Sequence, residues 1–304
     1  MERFRTPDAR FVDLPDFPWT AKYLELRDPT GGPDLRMAYY DEGPPDAAET
    51  IWLQHGEPSW SFLYRHMLPP LLAAGHRVVL LDLLGFGQSD KPAAGGDYTY
   101  ARHVEWVREA LFDHLDLSGV TFFGQDWGSL IGLRVVAENP EHFARVAIGN
   151  GFLPTGRGTI SQAFLAWQNY SQSVPVLPVG RIVAGGCLEP LTPEEIAAYD
   201  APYPEESFKT GARTFPTLVP TTPDDPATAA QVAAWGVLAQ WTKPFWLCFS
   251  DGDQVTAGSE VELAARIPGT RGMPHVTIEG GGHFLQEDRG EQLATLFVEF
   301  IRQY

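Results

Sequence analysis

In the stretch Gly124-Gln125-Asp126-Trp127-Gly128 a reactive side chain has a glycine two residues to either side, between the apolar run Val120-Thr121-Phe122-Phe123 and a helical pattern from Leu130 to Val136. A strand that turns sharply into a helix around one reactive residue is a nucleophile elbow, and here that residue is aspartate. A serine in this place must lose a proton before it attacks, whereas a carboxylate is already ionised at neutral pH. Attack by Asp126 leaves an ester on the protein, which a second step has to open.

Opening an ester calls for a base held in a fixed orientation. Phe249-Ser250-Asp251-Gly252-Asp253 directly follows an apolar strand and offers a carboxylate to orient a histidine. Gly280-Gly281-Gly282-His283-Phe284 follows the last strand and presents a histidine on what reads as a flexible loop. The chain order nucleophile, acid, histidine is that of the α/β-hydrolase fold. Singly, each piece has a plain structural use, as a helix cap or a surface turn. The three in this order point to catalysis, with Asp251 and Asp253 both open as the orienting acid. A fourth segment, His55-Gly56-Glu57-Pro58, follows the strand at 51–53 and sits where this fold takes one of its two oxyanion donors. The backbone N–H groups of Glu57 and Trp127 are therefore the candidate pair. His55 itself reads as a structural loop residue.

These loops need a sheet to carry them. Residues 23–27 and 35–40 flank a Gly/Pro turn and predict an antiparallel hairpin. From Thr50 onward, apolar strands alternate with longer helical stretches, which predicts a mostly parallel central sheet flanked by helices. Strands are expected near 51–53, 77–81, 120–123, 146–148, 245–249 and 275–278, with helices near 64–73, 100–115, 130–139, 261–265 and 291–302. Between 154 and 226 Pro and Gly recur among short helical pieces at 160–170, 193–199 and 205–214, with no β pattern. That segment predicts an inserted helical cap over the C-terminal edge of the sheet, where α/β proteins bind ligands. The resulting division is core over 1–153, cap over 154–228 and core again over 229–304.

Composition narrows the partners. A chain of 304 residues that is 44% hydrophobic and 20% charged is ordinary for a soluble globular enzyme. Its net charge of −17 repels phosphate backbones and anionic headgroups, so neither nucleic acid nor a membrane surface is an expected partner. Cys187 and Cys248 lack CxxC or metal-ligand spacing and read as buried free thiols. The N-terminus has no secretory h-region, and no stretch approaches the roughly 18 apolar residues of a membrane span. A cytoplasmic protein is expected.

On longer segments the chain resembles the haloalkane dehalogenases, subfamily I, of the α/β-hydrolase superfamily. The matching segments are His55-Gly56-Glu57-Pro58-Ser59-Trp60-Ser61-Phe62-Leu63-Tyr64-Arg65, Gly85-Phe86-Gly87-Gln88-Ser89-Asp90-Lys91-Pro92, Gln125-Asp126-Trp127-Gly128, Arg213-Thr214-Phe215-Pro216-Thr217-Leu218-Val219-Pro220 and Gly282-His283-Phe284-Leu285-Gln286-Glu287. The similarity runs from near Phe17 to the C-terminus. Ser129 stands where the family commonly has glycine, and Gln88 where arginine is usual.

The resemblance implies a two-step hydrolysis of carbon–halogen bonds. Asp126 displaces halide from a tetrahedral carbon, and the indole N–H groups of Trp127 and the cap residue Trp167 receive the departing anion. His283, oriented by Asp253 in preference to Asp251, then activates water against the ester. Phe164, Phe215, Leu130 and Val255 are implied to line an apolar substrate pocket. No metal or organic cofactor is implied, and the partners are a small haloalkane and a halide ion. An epoxide hydrolase shares the Asp-His-Asp machinery, but it needs cap tyrosines to protonate the leaving oxygen, for which Tyr170, Tyr199 and Tyr203 are the candidates. Glu57 and Trp167 favour the dehalogenase. A fluoroacetate dehalogenase needs arginines close behind the nucleophile, where Trp127-Gly128-Ser129 has none. A binding protein of this fold has no need of Asp126, Asp253 and His283 together.

Overall fold

The computed structural model describes residues 1–304 apart from Thr159. Strand β1 (Arg3–Phe4) begins the chain, followed by β2 (Lys22–Leu26), β3 (Leu35–Glu42), β4 (Thr50–Gln54) and β5 (Arg77–Leu81). Then come β6 (Lys91–Pro92), β7 (Val120–Gly124), β8 (Phe143–Ile148), β9 (Phe245–Ser250) and β10 (Val276–Ile278). β1 and β6 pair as a two-stranded antiparallel ribbon, and the other eight form one sheet in the order β2-β3-β5-β4-β7-β8-β9-β10. Only β2/β3 and β3/β5 are antiparallel, so the hairpin stands at one edge of a parallel sheet.

The central strands are buried on both faces, which accounts for apolar runs with no polar alternation such as Val120-Thr121-Phe122-Phe123. Successive side chains still point to opposite sides. Trp52, Val79 and Phe122 face one core with α2 (Tyr100–Arg108), α3 (Trp127–Glu138), α8 (Thr228–Leu238) and α9 (Ser259–Arg266). Ile51, Leu53, Val78, Leu80 and Phe123 face the other, with α1 (Leu68–Ala73) and α10 (Leu285–Gln303). Burying two apolar faces at about 25 cal/mol per Å² is what holds such a sandwich together.

Between β8 and β9 lie α4 (Gln162–Ser173), α5 (Val179–Gly186), α6 (Pro193–Asp200) and α7 (Thr210–Leu218). Two of their starts are written locally. Ser161 accepts the Phe164 N–H at the start of α4, and Thr192 with Glu195 forms a capping box before Pro193 of α6.

Two helices depart from the sequence expectations. α5 was hidden because Gly180, Gly185 and Gly186 read as a turn. Gly180 is instead a packing residue, since a Cβ there would fall 2.2 Å from the Ile196 carbonyl oxygen of α6. α8 was missed because its inward residues include polar ones, Thr228 and Gln231, which blur the apolar stripe. Among the described residues, no helix is long and apolar enough to cross a membrane.

Candidate active site

Asp126 sits between β7 and α3 with φ 52° and ψ −132°, outside the regions that a residue with a Cβ normally adopts. Packing on every side enforces the turn. A Cβ on Gly124 would lie 2.5 Å from the Phe122 ring, and one on Gly128 would lie 2.0 Å from the Gln54 carbonyl oxygen of β4. The two glycines of the elbow are thus required for close approach. The Asp126 N–H donates to the Asn150 carbonyl oxygen at 2.9 Å, fixing the elbow to the end of β8.

The carboxylate of Asp126 is held at both oxygens. The Glu57 backbone N–H donates to Oδ1 at 2.7 Å. His283 Nε2 stands 3.5 Å from Oδ2. Gly56 makes the first contact possible, because a Cβ there would fall 2.3 Å from Oδ1. Trp127 opens α3, so its N–H is one of the orphan donors at a helix N-terminus.

His283 Nδ1 lies 3.0 Å from Asp253 Oδ1. Asp253 also accepts from the Val255 and Thr256 backbone N–H groups and from the Thr256 hydroxyl. Burial by itself pushes the Asp253 carboxyl up, but the adjacent imidazolium and these donors outweigh it and hold the group at about 2. Asp251 instead accepts the Gly280 N–H on the outside of the loop, so Asp253 is the acid that meets the histidine. Burial likewise lowers His283, yet the flanking carboxylates of Asp253 and Asp126 prevail and raise it to about 10.

The loop bearing His283 is not the flexible turn that its glycines suggest. Its Gly282 N–H donates to Asp288 and its His283 N–H to the Gly186 carbonyl oxygen, both at 2.7 Å. Its carbonyls accept from Ser250, Asn150 and Gln125. A Cβ on Gly282 would fall 2.4 Å from the Gly186 carbonyl oxygen, so the glycine run again marks close packing.

Asn150 is the functional residue that sequence reasoning passed over. It is fully buried at φ 44°, and its amide donates to Ser250, Gly282 and His283 while accepting the Ser250 N–H. With the bond from Asp126 it joins the loops of all three triad residues. The signal was present in Gly149-Asn150-Gly151 after an apolar strand, because Asn between glycines favours positive φ. His55 is structural as expected. Its Nε2 accepts the Leu83 N–H at 2.9 Å and its Nδ1 donates to the Gly56 carbonyl oxygen at 2.8 Å, which keeps the buried ring neutral.

A cavity of about 950 Å³ opens over this constellation, and Asp126, Trp127, Leu130, Phe164, Trp167, Val255 and His283 all face it. Phe215 does not face the cavity. It is fully buried with its ring 4.6 Å from that of Trp127, so it backs the indole and leaves the wall to others. Trp52, Trp60, Trp106, Trp235 and Trp246 donate their indole N–H to protein acceptors, Trp235 to the Leu153 carbonyl oxygen although it too lines the cavity, whereas Trp127 and Trp167 stand at the cavity wall without such a backbone partner. Glu57 faces the cavity too. Burial and the neighbouring Asp126 charge raise its carboxyl well above the usual range, against the lowering effect of a hydrogen bond with Trp167. Of the three cap tyrosines, Tyr199 is buried on Glu287, Tyr203 is buried, and Tyr170 is exposed, and none lines the cavity among the described residues. Among the described residues the cavity wall thus lacks the tyrosine acids that an epoxide hydrolase uses.

Comparison with known proteins agrees with this geometry. Residues 49–290 match the family model described as the alpha/beta hydrolase fold. A haloalkane dehalogenase of Psychrobacter cryohalolentis is 54% identical over 301 residues, covering 99% of this chain and 98% of its own. One from Mycobacterium marinum is 50% identical over 300 residues, covering 99% and 100%. Among solved structures, the tetrameric haloalkane dehalogenase DpaA from Paraglaciecola agarilytica superposes with a TM-score of 0.89 at 33% identity, covering 97% of each chain. A carboxylate at a strained elbow, a histidine between two carboxylates and a large apolar-walled cavity thus occur in a chain that belongs to the haloalkane dehalogenases of the α/β-hydrolase fold.

Proposed function

We propose that the chain hydrolyses haloalkanes through a covalent ester on Asp126, with residues 154–228 acting as the cap that shapes the substrate site. The observation that carries this reading is the double hold on Asp126, whose Oδ1 is engaged by the Glu57 N–H while Oδ2 faces His283 and the cavity. In the first step Oδ2 attacks the halogen-bearing carbon from behind. The C–O bond forms as the C–X bond breaks, and X⁻ departs with the bonding pair toward the indole N–H groups of Trp127 and Trp167. A large, weakly basic anion suits such donors in an apolar wall. The second donor on cap helix α4 is the arrangement that the resemblance implies for subfamily I.

In the second step His283 takes a proton from water, and the hydroxide adds to Cγ of the ester. The negative charge develops on Oδ1, which already rests on the Glu57 N–H, and the Trp127 N–H is the second donor expected of this fold. One such donor is typically worth about 3 kcal/mol. Collapse breaks the Cγ–Oδ2 bond as the His283 imidazolium returns its proton to the departing alkoxide, and the carboxylic acid left on Asp126 sheds its proton, so water and haloalkane become alcohol, halide and a proton. Esterification also removes one of the two carboxylates that raise His283. The imidazolium of the resting enzyme can then release its proton and become the base that this step requires.

His283→Phe tests the scheme. Incubated with 1-bromobutane, it should release about one equivalent of bromide and then stop, with Asp126 alkylated by mass spectrometry. A variant that never becomes alkylated, although the parent turns the substrate over, removes the two-step scheme. Trp167→Phe should weaken halide quenching of tryptophan fluorescence, and unchanged quenching moves the second donor elsewhere.

A further inference from the structure

We infer that Asp288 is a positioning residue for the second chemical step, tying the end of cap helix α5 and the His283 loop into one hydrogen-bonded unit. The inference rests on the proposed role of His283 as base toward the ester. Asp288 lies within α10, only 9% exposed. Its carboxylate receives the Gly282 N–H at 2.7 Å, the Glu189 N–H at 2.7 Å and the Leu188 N–H at 3.0 Å. One of these donors belongs to the histidine loop, and the other two lie just past α5. Beside them, the Gly186 carbonyl oxygen at the end of α5 accepts the His283 N–H. Both N–H groups of the Gly282–His283 pair are thus satisfied through the cap segment or through the carboxylate that holds it.

The packing leaves no slack. A Cβ on Gly186 would fall 2.7 Å from the Phe284 ring, and one on Gly252 would fall 2.7 Å from Leu188 Cδ1. Residues of the cap, of the acid loop before Asp253 and of the histidine loop touch through glycines at these points. Ile182, Gly185 and Gly186 of α5 also line the cavity, so a bound substrate presses on the same helix end that mounts the histidine. Without the Asp288 carboxylate, three backbone donors lose their acceptor together and the loop keeps only its bonds to the Gly186 carbonyl oxygen as a hydrogen-bonded link to the cap. Asp126 keeps the Glu57 N–H on Oδ1 and its own N–H bond to the Asn150 carbonyl oxygen, neither of which involves Asp288. A displacement of order 1 Å in a catalytic group costs roughly 10²-fold. That cost falls on ester hydrolysis and spares alkylation.

Single-turnover quench mass spectrometry with 1-bromobutane resolves the two rate constants as alkyl-enzyme rises and decays. Asp288→Ala should keep the alkylation constant within about twofold, lower the hydrolysis constant by roughly 10²-fold, and accumulate alkyl-enzyme. Asp288→Asn keeps the side-chain volume and one acceptor oxygen, should show an intermediate fall, and carries the test if Asp288→Ala does not fold. Normalised to active sites, a merely structural role leaves both constants unchanged and lowers only the amount of active enzyme, which overturns the inference. Equal losses in the two constants overturn it as well. His283→Phe in the same experiment separates the premise: if it traps the ester, a negative Asp288 result condemns only the Asp288 inference, and if it forms none, the two-step reading falls and the inference with it.

Discussion

At its inner end the cavity rests on Asp126, whose surroundings have nowhere to go. Behind it Gly56, Gly128, Gly282 and Asn150 stand where a strained φ or a missing Cβ is enforced by close neighbours. At its outer end the wall is made by side chains of α8, α9 and the chain around residues 154–161, among them Val232, Trp235, Glu262 and Ser161. Val232 is 37% exposed, and a Cβ added at Gly236 of α8 would meet open space. The same pocket thus has one end where nearly any added atom collides and one where added atoms find room. Chemistry is fixed at the first end, and substrate choice is left to the second.

Substitutions graded from one end to the other sharpen or break this contrast. The largest effect should come from Asp253→Asn, which removes the charge that holds the His283 ring in its working tautomer. Ester hydrolysis should fall by about 10²- to 10⁴-fold while alkylation persists, measured as alkyl-enzyme at steady state. A comparable loss in both steps would mean that Asp253 serves the whole site and not the histidine alone. Gly128→Ala comes next. Its Cβ meets backbone of β4, so overpacking should cost about 1–3 kcal/mol in chemical denaturation, and Gly236→Ala should cost nothing measurable. Equal costs at the two glycines would erase the contrast.

A subtler effect follows from proton linkage. His283 is raised from 6.5 to about 10 in the fold, so it binds its proton more tightly when folded. Its contribution to stability is complete below about pH 6.5 and is lost as pH rises through 10. Asp253, held at about 2, contributes above its ordinary value of 3.8 and loses that contribution as pH falls through 2. The Tm of the parent should therefore fall more between pH 6.5 and 10 than that of His283→Gln, and parallel curves would show that the charged pair stabilises nothing. The smallest effect is expected at the outer end. Val232→Trp should leave kcat/KM for 1-bromobutane within about twofold while lowering it several-fold for a long-chain bromide, at a cost of about 1–3 kcal/mol in an apolar contact.

How legible these features were in the sequence depends on what a residue type alone can reveal. β7 and Asp126 were readable because an apolar run followed by spaced glycines has few other uses. The hairpin and every strand of the parallel sheet were placed to within a few residues. Glycine was the ambiguous letter. At 282 it looked like flexibility and at 186 like a break between helices, yet in the fold it permits contact, and only three-dimensional neighbours separate the two. Asp288 was invisible for a related reason: a polar residue that serves distant backbone carries no local pattern, whereas Asn150 at least stood between two glycines. Phe215 fell within a readable cap motif, but depth behind Trp127 is a matter of layers, which spacing along the chain does not encode.

The hydrogen bond from the Glu57 N–H to one oxygen of Asp126 gives the two carboxylate oxygens different fates. Under the proposed scheme Oδ1 stays in its place through every cycle, while Oδ2 leaves inside the alcohol and is replaced from water. Each alcohol molecule therefore carries the oxygen of the water consumed one cycle before it. In ¹⁸O-water the first equivalent of alcohol should be unlabelled and the second fully labelled. The active site would thus keep a one-turnover memory of its solvent, and a label spread over several turnovers would show that the carboxylate rotates between cycles.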